Sequence, residues 1–176
     1  MSVVINGSAG VTTNVGAVYN GIQAATAQAS TSGTSIDFTS IPSWVKRVTV
    51  MLNGVSTNGT SPPQIQIGSG SIVTTGYVGA NSVVATGVAS VAWTTGFGIG
   101  VNTSNWLATT TVSGSITLSL VSANTWAASG VLGANFAGVY LTGGALTLSG
   151  ALDRVRITTA NGTDAFDAGS INILYE

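Results

Sequence analysis

The chain has 176 residues, the length of one domain with a single core, and only nine side chains carry charge, four Lys or Arg and five Asp or Glu. A net charge of -1 with no basic cluster excludes nucleic acid as a partner, because phosphate binding needs several cations to release counterions. With no His and no Cys, Ser-His-Asp and Cys-His centres, thiolate zinc sites and disulfides are excluded as well, so stability must come from packing or self-association.

In chain order, the opening Met1-Ser2-Val3-Val4-Ile5-Asn6-Gly7 lacks the charged and long apolar regions of a secretion signal. The product is expected to be assembled in the cytoplasm of its host cell, leaving it by lysis or inside a particle. Val15, Val18, Tyr19 and Ile22 fall at helical spacing behind an Asn14 cap, while Tyr19-Asn20-Gly21-Ile22 reads equally as a hairpin turn. Ala24 begins a run of Ala, Thr, Ser and Gln that ends at Gly33 and reads as a linker. Residues 1–33 are therefore an N-terminal attachment arm, and residues 34–176 are a head domain.

Period-two alternation then predicts strands over 35–38, 45–52, 64–67, 83–93 with a break at Gly87, 115–121, 136–141, 145–148, 152–159 and 170–174. Asn53-Gly54, Asn58-Gly59, Thr142-Gly143-Gly144 and Asn161-Gly162 favour the positive φ of tight turns. Many short strands without alternating long helices predict an all-β fold, an antiparallel β-sandwich of jelly-roll type. The most apolar region, 77–93, is broken by Gly79, Asn81, Ser82, Thr86, Gly87 and Ser90, so no membrane insertion is expected, a span needing about 20 apolar residues.

Little in the chain resembles catalytic machinery. Asp164 and Asp167 are the one close carboxylate pair; they read as a glycosidase-type pair, as a calcium loop, or as a polar turn before the last strand, and the turn is favoured because one short loop supplies few acidic ligands. Neither a metal, a cofactor nor a catalytic residue is assigned. Arg154 and Arg156 share one strand face and are expected to pair with Asp37, Asp153 or another subunit's carboxylate rather than to clamp an anion. Binding without charge relies on aromatic stacking and amide hydrogen bonds, the chemistry of sugar recognition. Trp106, following Asn102 and Asn105, and Trp126, following Asn124, are the candidate ligand residues, against the reading in which both rings are core.

Two blocks, 34–60 and 152–176, resemble the distal module of bacteriophage tail-fibre proteins; the run Ile41-Pro42-Ser43-Trp44-Val45-Lys46-Arg47 is the most specific part. The segment 5–21 is similar to the stretch preceding that module. The resemblance implies a virion protein, a homotrimer whose variable middle contacts a host-surface glycan or polysaccharide, and no catalytic residues. The function expected is a fibre-type appendage, tail fibre or tip, docked on another virion protein through residues 1–33. The alternative is a capsid decoration or head-fibre protein that stabilises the shell.

Overall fold

The structure, a computed structural model, describes residues 3–6, 10–13, 18–19, 21–101 and 106–176; before Gly21 it describes strand placement alone. Every regular element among these residues is a strand, as alternation without helical periodicity requires. At the N-terminus β1 (Val3–Asn6), β2 (Gly10–Thr13) and β3 (Val18–Tyr19) form a small antiparallel sheet. Next come β4 (Gln23–Ala24), β5 (Gln28–Ala29), β6 (Ser35–Thr39), β7 (Arg47–Thr57), β8 (Pro63–Ser69) and β9 (Ser71–Ile72). The middle of the chain supplies β10 (Val78–Val84), β11 (Val88–Trp93), β12 (Phe97–Gly98), β13 (Val112–Ser122), β14 (Thr125–Ala134) and β15 (Gly138–Thr147). The chain closes with β16 (Arg154–Thr159) and β17 (Phe166–Tyr175).

Two antiparallel sheets face each other as a β-sandwich. The larger runs β11-β10-β15-β14-β13-β7-β17, with β4 and β5 both pairing with β17; the smaller runs β12-β8-β16-β6, with β9 on β8. Alternation places Val48, Val50 and Leu52 of β7, Ile116 and Leu118 of β13, and Ile171 and Ile173 of β17 on the inner face of the larger sheet. They meet Ile36 and Phe38 of β6, Ile65 and Ile67 of β8, and Val155 and Ile157 of β16 in one core. Burial of this apolar surface is the main favourable term for a chain without disulfides.

Several expected boundaries move. Asn53-Gly54 does not end a strand: β7 runs through it to Thr57, and its register against β17 shifts there. Gly54 and Gly169 both have positive φ, 61° and 92°, and a Cβ on Gly169 would lie 2.5 Å from the Gly54 carbonyl oxygen, so these glycines build a bulge. Thr142-Gly143-Gly144 likewise lies inside β15, fusing two predicted strands into one. The central strand β14 went unpredicted. Towards the N-terminus, Asn14, Val15 and Asn20 lie outside the described residues, Val18–Tyr19 is strand rather than helix, and β3 and β4 pair with other strands instead of with each other.

The expected linker joins the head. β4 and β5 add to β17, Ser30 is fully buried, and its N–H and hydroxyl donate to the Gly169 and Ala168 carbonyls at 3.0 and 2.8 Å. Gln28 adds an amide bond to the Asp37 carbonyl at 2.7 Å. The segment from Gln23 to Ser30 is thus part of the sheet that residues 34–176 form, because its backbone finds partners there.

Candidate functional site

The acidic residues are dispersed, each on a different neighbour. Asp37 receives both Nε and Nη2 of Arg156, at 2.7 and 2.9 Å, across the β6–β16 pair. Asp153 receives Arg154 at 2.7 and 3.1 Å and the Gly70 N–H at 3.0 Å, and the Arg154 guanidinium holds its carboxyl below the usual carboxylate value. Glu176 pairs with Arg47. Asp164 accepts the Ser61 N–H and the Asn161 amide at 2.9 and 2.8 Å, tying two loops together, whereas Asp167 accepts the Ser56 hydroxyl. Asp164 and Asp167 therefore serve different contacts. No group of three metal-ligating side chains occurs among the described residues.

The sequence-flagged tryptophans part company. Trp106 is fully buried; its indole N–H donates to Thr57 Oγ1 at 2.9 Å, and its ring lies 6.1 Å from that of Tyr140. Its face is core, packed because a large aromatic with a satisfied N–H gains most by leaving water. Asn102 and Asn105 lie outside the described residues.

Asn124 and Trp126, by contrast, come together. They line a cavity of about 210 Å³ with Ser43, Val45, Lys46, Leu120, Ala123, Ala151 and Leu152. Three segments build its walls at one end of the sandwich: the β13–β14 turn, the approach to β7, and the approach to β16. Two bonds hold them, Leu120 N–H to the Lys46 carbonyl at 2.8 Å and Leu148 N–H to the Asn124 carbonyl at 3.0 Å. The Asn124 amide N–H groups donate to the Ala123 and Gly150 carbonyls at 3.3 Å. Trp126 is buried to 2% exposure, so it lends no open ring face, and its indole N–H, itself shut away from solvent, has no acceptor among the described residues. A buried donor without a partner is costly unless water or a ligand oxygen meets it. Ser43 and Lys46 were not foreseen as members of this cavity: no local pattern announces a wall made by residues some 80 positions from Trp126.

A second, polar groove of about 350 Å³ lies on the smaller sheet, lined among others by Gln64, Gln66, Thr95, Arg156 and Thr158. Its groups largely satisfy one another. Gln66 donates to the Thr95 carbonyl at 2.8 Å, the Thr95 hydroxyl donates to Gln64 at 2.9 Å, and the Thr158 hydroxyl donates to the Thr34 carbonyl at 2.8 Å. The cavity at Trp126 is therefore the stronger candidate, a slot edged by one cation, Lys46, and by the Ser43 hydroxyl, groups that suit an oxygen-rich neutral ligand.

Fold and site together define an all-β sandwich protein with a small hydrogen-bonding cavity at one end. No family model, curated protein or solved structure matches the chain.

Proposed function

We propose that the chain is a structural protein of a phage particle, a self-associating fibre-type appendage whose β head contacts a host-surface glycan and performs no catalysis. The observation that carries this reading is the pairing of the two blocks on which the tail-fibre resemblance rests. Residues 34–60 supply β6 and β7, residues 152–176 supply β16 and β17, and β6 pairs with β16 while β7 pairs with β17. Segments about 90 residues apart in sequence are thus one frame, and the charge-free middle is hung between them. The Ile41–Arg47 run of that frame contributes Ser43, Val45 and Lys46 to the cavity beside Trp126, where frame and middle meet.

In this reading the glycan presents hydroxyl or acetamido oxygens to Ser43 and Lys46 at the cavity edge. The test is retention of the labelled protein on an array of bacterial surface polysaccharides. Wild type and a groove variant, Gln66→Ala, are expected to be retained alike, whereas Lys46→Ala, which strips the exposed cation from the cavity edge and leaves the core intact, loses retention at least tenfold. A wild type retained on no glycan contradicts the receptor contact; the same fold then fits the alternative, a capsid decoration protein.

A further inference from the structure

The two sheets have four outer edges, and three are defended. β4 and β5, two residues each, break one edge of the larger sheet into short pieces. On the smaller sheet, β9 and β12 are equally short, while β6 carries Asp37 and has Gln28 bonded to its backbone. The fourth edge is β11, Val88-Ala89-Ser90-Val91-Ala92-Trp93. Among the described residues it pairs with β10 on one side only, in unbroken register, with no charge, no Pro and no bulge. Proteins normally protect such an edge, because its free N–H and C=O groups template another strand.

The ladder sets which groups are free. The Ala85 N–H bonds the Gly87 carbonyl at 3.0 Å just beyond the Val84–Val88 pair, so that pair is a non-hydrogen-bonded one. Ala89, Val91 and Trp93 therefore turn their backbone groups to β10, and Val88, Ser90 and Ala92 turn theirs outward. Only an extended strand meets such a row.

We propose that the occupant is β11 of a second copy, antiparallel, with Ser90 on the twofold axis. In that register Ser90 faces Ser90 of the second copy and Val88 faces Ala92 of the second copy. Each of the three residues gives one N–H bond in each copy, so all six outward donors and acceptors are used; a shift of two residues leaves a third of them unmet. Val88, 72% exposed, gains a neighbour, and the aliphatic row Val84 and Val139 continues from it on the same face. A twofold contact is closed and consumes the undefended edge of both copies, whereas a head-to-tail contact needs a second such edge, which the other three edges of the two sandwich sheets do not offer. The pairing deepens the self-association in the proposed function and gives it a dimeric contact, where the tail-fibre resemblance implies a trimer.

The experiment is light scattering over a dilution series, with hydrogen exchange read at single amides. The wild type is expected at twice its 17.4 kDa chain mass, with the Val88, Ser90 and Ala92 amides gaining protection as concentration rises. Ser90→Pro removes an outward N–H without touching the β10 ladder, and Ser90→Lys sets two cations against each other on the axis. Both are expected to give monomers with wild-type circular dichroism. A monomeric wild type at every concentration overturns the proposal. An oligomer that survives both substitutions overturns the β11 contact while leaving a self-associating appendage standing.

Discussion

Tyr77 and Tyr140 carry phenols that the core keeps neutral. Tyr77 accepts the Ile67 N–H at 2.8 Å and donates to the Val73 carbonyl at 2.9 Å, locking the β8–β9 corner, and Tyr140 lies between the rings of Trp106 and Phe136. Burial pushes both up to about 12 from an ordinary 10.0. A raised folded pKa on an acid favours the protonated form in the folded state, so this stabilisation is complete below pH 10.0 and is lost as pH rises towards about 12. In an alkaline titration the phenolate absorbance of these two residues is expected to appear only together with loss of the β-strand circular dichroism. Ionisation of all the tyrosines near pH 10 in a still-folded chain would contradict their burial.

Strands were legible wherever one face is apolar and branched, as at Ile65/Ile67, Ile116/Leu118 and Ile171/Ile173, and illegible where small residues replace that signal. β14 reads Thr-Trp-Ala-Ala-Ser-Gly-Val-Leu-Gly-Ala, with Trp126, Ala128 and Leu132 as its buried positions, and two alanines blur the alternation. Glycine misled for a related reason: it serves both turns and close approaches. At Gly144 the need is approach, since a Cβ there would sit 2.8 Å from both Gly79 Cα and the Val78 carbonyl oxygen. Gly144→Ala is therefore expected to force β10 away from β15 and cost about 1–3 kcal/mol, the range of overpacked sites. Urea unfolding measures it. An unchanged midpoint would show that the sheet yields freely at this crossing.

At the scale of the molecule, charge and its absence are segregated. The nine charged residues lie on β6, β16, β17 and the loops and strand end around them, while residues 48–152 contribute β8 to β15 and nearly all of β7 without one. The candidate site was half legible. Asn124 and Trp126 were marked by composition and do share a cavity, but Trp106 is core, and the Ser43 and Lys46 wall depends on a tertiary approach that no local spacing encodes. The same approach brings the frame of β6, β7, β16 and β17 to the uncharged middle, and the proposed role as a contact protein of a particle rests on that meeting. Gold-labelled antibody against this chain, applied to purified phage particles released from the cells that produce it, tests that claim most directly. Label is expected on the appendages of the particles; particles that carry no label anywhere would contradict the proposed function.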